Sequence, residues 1–92
     1  MKLDYFTEIT IKLIRAGYLE PHQRYGLRPT RKGAQVASAH LNTNDIAAHT
    51  HSAYIEQQQE KGRTIEAAYL DATMFILIDM YRSNQLPEQQ TE

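Results

Sequence analysis

Hydrophobic and polar positions change their period several times along the chain, and each change marks an element. Phe6, Ile9, Leu13 and Ala16 recur every three or four residues, which puts them on one stripe of a helix over residues 4–16. Asp4 is suited to cap its start, Glu8 complements its positive end, and Gly17 stands where a chain leaving a helix turns left-handed. Ile11 and Ile14 lie off the stripe, so a second surface of this helix is expected to be covered. The β-branched residues Ile9, Thr10, Ile11 and Ile14 are the part of the segment that also suits a strand.

Two short extended runs follow, Tyr18-Leu19-Glu20 and residues 24–28, on either side of Pro21-His22-Gln23. This pattern predicts a β-hairpin in which Tyr25 and Leu27 face the core while Arg24, Gly26 and Arg28 face outward. Pro29 has no N–H for the ladder, so the strand is expected to stop there. Helical spacing returns over 31–41: Thr30 caps it, Val36, Ala37, His40 and Leu41 share a face, and Asn42 is the expected end. A fresh helix starts at Thr43 or Asn44 and runs to Lys61 and Gly62, with a weakly apolar stripe of Ile46, Thr50, Ala53, Tyr54 and Gln57. Thr64 caps the last helix, which has Glu66 in its first turn.

Residues 74–78, Met-Phe-Ile-Leu-Ile, are apolar on every side of a helix; a strand over 73–78 is the alternative. Phe75 and Ile78 fall on the side of Asp71 and Arg82, whereas Tyr69, Ala72, Ile76 and Met80 point elsewhere. A helix apolar all round needs cover all round, and a chain of 92 residues has few elements to supply it. The expected remedy is a homodimer or a bound partner, with Tyr69, Met74, Phe75, Ile78 and Tyr81 at the interface. The expected organisation is one small domain over 1–84, made of a basic half (1–40) and an acidic helical half (41–84), followed by a flexible tail over 85–92. The fold class is mainly α with one small β-hairpin, in the order helix–hairpin–helix–helix–helix.

Charge sharpens the division at residue 40. The formal net charge is only −1, but residues 1–40 hold seven Lys/Arg against three acids and residues 41–92 hold three against eight. The halves therefore carry +4 and −5, and no acid occurs from Pro21 through Asn44. Such a basic half points either to an anionic partner or to an intramolecular match with the acidic half.

Composition removes several functions. Without cysteine there is no disulfide, cysteine-ligated zinc site, iron–sulfur cluster or thiol nucleophile. No apolar run approaches the ~18–20 residues that span a bilayer, and no secretory signal pattern opens the chain, so a cytoplasmic setting is expected. His22, His40, His49 and His51 come with no catalytic motif. Asp45 and His49, four apart on a helix, could share a metal, with His40 the nearest candidate for a third ligand. Ser38 and Ser52 carry no sequence mark of a nucleophile, and the four glycines form no phosphate-cradling cluster. No catalytic residue, metal or cofactor is therefore expected.

The most informative stretch is Arg24-Tyr25-Gly26-Leu27-Arg28-Pro29-Thr30-Arg31-Lys32-Gly33, preceded by Leu13-Ile14-Arg15-Ala16-Gly17-Tyr18-Leu19. Over residues 5–41 it resembles the recognition-helix and wing part of winged-helix DNA-binding domains. Leu13, Gly17, Tyr18 and Leu19 match the end of the recognition helix, and Tyr25, Leu27, Thr30, Lys32 and Gly33 match the return strand of the wing. Pro29 stands between the leucine and the threonine, and the two helices that precede a recognition helix have no counterpart ahead of Asp4. The resemblance thus implies a truncated winged-helix-like arrangement, with the 4–16 helix as a groove reader.

Two functions follow as expectations. The first is a small non-enzymatic nucleic-acid-binding regulatory protein, with DNA placed ahead of RNA, in which Arg15, Arg24, Tyr25, Arg28, Arg31 and Lys32 meet the phosphate backbone. The second is a protein-interaction module of phage or mobile-element type that inhibits a nucleic-acid-handling complex. It would act through the Phe75/Ile78 side or an acidic face of Glu56, Glu60, Glu66, Asp71 and Asp79.

Overall fold

The structure, a computed structural model, describes residues 4–90. Its elements are α1 (Tyr5–Arg15), β1 (Leu19–His22), β2 (Gly26–Pro29), α2 (Arg31–Thr43), α3 (Asp45–Glu60), α4 (Ile65–Arg82) and the short α5 (Pro87–Gln90). Four short polar side chains set where the long helices begin. Asp4, Thr30, Asn44 and Thr64 each accept a hydrogen bond from the backbone N–H three residues on, a cap worth about 1 kcal/mol against alanine. Three of the helices end alike. Gly17, Gly62 and Asn84 take left-handed backbone, with φ of +87°, +93° and +59°. The N–H of each donates three residues back and the next N–H donates five back, as from Gly17 to Ile14 and from Tyr18 to Leu13, so the last carbonyls are satisfied.

The hairpin is antiparallel, with Leu19 opposite Pro29, Glu20 opposite Arg28, Pro21 opposite Leu27 and His22 opposite Gly26. Leu19, Pro21, Leu27 and Pro29 therefore share the inner face, and Leu19 and Pro29 are buried there. Arg28 lies on the outer face as its alternation requires. Tyr25 does not face the core from a strand as expected: it belongs to the three-residue turn before Gly26. The strand ends at Pro29, as its missing N–H dictates.

The core gathers Ile9 and Leu13 of α1, Tyr18 and Leu19 at the hairpin's start, Ala37 of α2 and a block from α4. α4 packs against α1, α2, α3 and β2. Residues 73–78 are helical, and Ala68, Ala72, Thr73, Ile76, Leu77, Ile78 and Met80 are all buried. Neighbouring elements of this chain thus cover most sides of that helix. Ile78, expected at an interface, is 5% exposed and sits in the core, while Met74 and Tyr81 are half-buried against it; only Tyr69 and Phe75 of that set are exposed.

Two other expectations need correction. On α3, Ile46 is 80% exposed, and Thr50, Ala53 and Gln57 are exposed too. Of the expected stripe Tyr54 alone turns inward, and the rest of the inward face is Ala47, His51, Ile55 and Gln58. Small Ala47 admits close packing, and His51 is held by Thr73, with Nε2 and Oγ1 3.2 Å apart and the edge of the Tyr69 ring beside it. The expected tail over 85–92 is anchored as far as it is described: Leu86 is 2% exposed in the core and α5 follows it. Residues 1–3 of the expected domain and 91–92 of the tail lie outside the described residues. Among the described residues no helix is long and apolar enough to cross a membrane.

Gly33 marks the tightest junction. A Cβ there would stand 2.1 Å from the Tyr18 carbonyl oxygen and 3.1 Å from the Leu77 side chain. Gly33→Ala should gain helix propensity yet lose stability overall, because the crowding atom is backbone and forces α2 away from the hairpin. The expected loss is about 1–3 kcal/mol, read as a drop in Tm of roughly 5 °C or more; an unchanged Tm would contradict the junction.

His51 gives a second expectation. Burial pushes its pKa below the ordinary histidine value. Below about pH 6.5 the unfolded chain takes up a proton that the folded chain resists. Stability from this group is complete above that pH, is lost as pH falls towards the folded-state pKa, and levels off below it. Denaturant unfolding of wild type and His51→Gln across this range should show the wild type losing more stability on acidification.

Candidate nucleic-acid interface

The hairpin turn is built by His22, Arg24 and Tyr25. The Arg24 N–H donates to His22 Nδ1 at 3.2 Å, which tightens the turn. The His22 and Tyr25 rings stack at 5.1 Å with 22° between their planes, and the Arg24 guanidinium lies 5.7 Å from the Tyr25 ring centre. A hydrogen bond with Glu66, then burial, raises the Tyr25 pKa. Tyr25, expected to contact nucleic acid, therefore has its ring engaged within the turn by His22 and Arg24. Arg24 is exposed at the tip.

Arg28 projects from the outer face of β2, where its Nε donates to the Glu20 carboxylate directly opposite at 2.8 Å. Both side chains are about two-fifths exposed (43% and 41%), so the pair is worth at most about 1 kcal/mol and a phosphate can displace the carboxylate. Arg31 is exposed in the first turn of α2 and Arg15 in the last turn of α1. Neither has an ion-pair partner among the described residues.

Lys32 is committed differently. Its Nζ donates to the Ala16 carbonyl at the C-terminus of α1 and to Glu88, both at 2.8 Å, and it stands 4.6 Å over the Tyr18 ring. The fully buried Tyr18 donates its hydroxyl to the other oxygen of the same carboxylate. Lys32, Tyr18 and Glu88 together tie α5 to the α1–α2 junction, a contact spanning 70 positions from Tyr18 to Glu88 that no local pattern signals.

The stretch without acids is thus not without acids in space: Glu20, Glu66 and Glu88 reach Arg28, Tyr25 and Lys32. Yet of the three ion pairs among the described residues, only Lys32–Glu88 joins the basic half to the acidic one. Arg28–Glu20 and Arg63–Asp71 are internal to their halves. Self-neutralisation therefore leaves Arg15, Arg24 and Arg31 open to solvent. They come from the end of α1, the hairpin tip and the start of α2.

The other surface weighed from the sequence lies on α3 and α4. Phe75 is 36% exposed and meets the Tyr54 ring edge-on at 5.4 Å, beside a cleft of about 180 Å³ that Thr50 and Asp79 also line. Asp71 is taken by Arg63 at 2.6 Å, which raises the arginine's pKa. Asp45, His49 and His40 do not form a metal site; among the described residues no three such ligands converge.

The Tyr18–Glu88 contact can be tested directly. Tyr18→Phe removes a hydrogen bond to a carboxylate, a class worth about 1.5–3 kcal/mol, without opening a cavity. The expected result is a stability loss of that order, with faster amide exchange over 85–90 than elsewhere; protection unchanged in that segment would contradict the tie.

No protein-family model, no curated protein and no solved structure matches this chain, so the chemistry of the surface rests on its own residues.

Proposed function

We propose that the chain is a small non-enzymatic nucleic-acid-binding protein that holds a phosphate backbone with its hairpin and the helix starts and ends around it. The observation that carries this reading is the run Arg24, Arg28, Arg31: three exposed or half-exposed guanidinium groups within eight residues, two of them without a carboxylate partner among the described residues. Guanidinium groups take phosphate bidentately, and each phosphate neutralised releases counterions, which makes binding salt-sensitive. Arg15 adds a fourth cation from α1. Lys32 contributes only by leaving Glu88. Tyr25 is a positioning residue that keeps Arg24 at the tip. The order helix, hairpin, helix over 5–41 is the order that the winged-helix resemblance implies, and it supports the same reading.

A second reading, a protein-interaction module acting through α3 and α4, draws on exposed Tyr69 and Phe75 and the cleft beside Tyr54. It predicts partner binding that survives charge reversal on the hairpin and fails with Phe75→Glu.

The nucleic-acid reading is tested by fluorescence anisotropy with a duplex at salt concentrations from about 50 to 200 mM. Four phosphate contacts give a slope of log affinity against log salt of about −3 to −4. The combined variant Arg24→Glu, Arg28→Glu, Arg31→Glu should lose most of the affinity and flatten the slope, with the circular dichroism spectrum unchanged. No salt-sensitive binding by the wild type, or none lost in the variant, would contradict the proposal.

A further inference from the structure

One face of α2 carries side chains to which the fold gives no task. At ~100° per residue, Arg31, Gln35, Ser38 and Asn42 fall within an arc of about 60°, flanked by Ala34 and Ala39. All six are exposed. The opposite side of the helix is the packed one, with Gly33 and Ala37 buried and Val36 and Leu41 against the core. Among the described residues none of Gln35, Ser38 and Asn42 has a side-chain hydrogen-bond partner. The face borders an open groove of about 540 Å³ whose far wall is Tyr69.

Its chemistry differs from that of an ordinary solvated helix face. Solvent faces are filled with Lys and Glu, which supply solubility and i,i+4 pairs. Here the stripe is guanidinium, amide, hydroxyl, amide, and α2 contains no acid. That set of groups reads base edges in a major groove: arginine pairs with guanine, glutamine and asparagine each make two hydrogen bonds to adenine, serine serves either, and alanine accommodates the thymine methyl. The flanking alanines keep the helix narrow, and its 13 residues give a length of about 20 Å for a groove about 12 Å wide. Arg24 and Arg28 sit on the hairpin that leads into the same end of α2, where phosphates flanking the groove would lie. By contrast α1, the helix expected to read the groove, exposes Tyr5, Phe6, Glu8, Lys12 and Arg15 and has no asparagine or glutamine to read a base edge.

We infer that the exposed face of α2 is a sequence-reading surface for duplex DNA, with Gln35 and Asn42 as its principal specificity-determining residues and Ser38 between them. The inference rests on the reading of the chain as a nucleic-acid-binding protein and adds which nucleic acid it takes and how it is discriminated.

The test begins with the full chain and a duplex library randomised in sequence. Wild type should enrich a short motif, and the affinity ratio between enriched and scrambled duplex should exceed tenfold. Gln35→Ala and Asn42→Ala, exposed helix positions where alanine is well tolerated, should each reduce that ratio by about tenfold and relax the motif at one or two adjacent base pairs. Duplex binding with no enriched motif, or a ratio that both variants leave unchanged, overturns the inference while leaving the phosphate-contact proposal standing. Binding to single-stranded RNA or to a protein in place of duplex overturns it as well. No binding to any nucleic acid overturns both.

Discussion

The close approach of α2 to the carbonyl of Tyr18 is the constraint on which the rest of the structure depends. α1 ends in a left-handed turn at Gly17, which points the Gly17 and Tyr18 carbonyls at the start of α2. The Thr30 N–H donates to the Tyr18 carbonyl at 3.0 Å, the Thr30 hydroxyl to the Gly17 carbonyl, and the Lys32 ammonium to the Ala16 carbonyl. Gly33 lets these bonds form by leaving no side chain in the way. The hairpin has its two ends fixed at this point, so its register and the direction of α2 are set together. Every basic residue of the candidate surface hangs from this junction or from the hairpin it closes.

α4 plays the complementary part. A helix with Ala68, Ala72, Ile76, Leu77, Ile78 and Met80 buried needs neighbours on several sides, and α1, α2, α3 and β2 provide them. Small residues do much of this: Ala68 and Ala72 let elements approach closely, and buried Thr73 is tolerated because it meets His51. An apolar run that looked too large for so short a chain is accommodated by surrounding it, at the cost of a weakly amphipathic α3 and a C-terminal segment folded back on the core.

Local signals are legible in the sequence because they are short-range. The caps at Asp4, Thr30, Asn44 and Thr64 and the left-handed exits at Gly17 and Gly62 each involve residues within a turn of one another, and they bound the long helices. Asn84 gives the same exit, a role open to asparagine as well as glycine. What was hidden needed partners far away in the chain. The phase of α3 could not be read from Ile46, because the helix is too poor in large apolar residues for its pattern to choose a face. The seat of Leu86 and the bond from Tyr18 to Glu88 depend on the folded position of α1 and α2. The candidate surface was legible as a charge pattern, but the division of labour within it was not: Lys32 and Tyr25 hold structure, while Arg15, Arg24 and Arg31 stay open.

The central claim, that the hairpin and the exposed side of α2 form one anion-facing surface, is tested most directly by following backbone amide resonances during titration with duplex DNA. The account predicts shifts concentrated at residues 23–31 and along the exposed positions of α2, with α3 and the Phe75 side of α4 silent. Shifts confined to α3 and α4, or none at any residue, would contradict it.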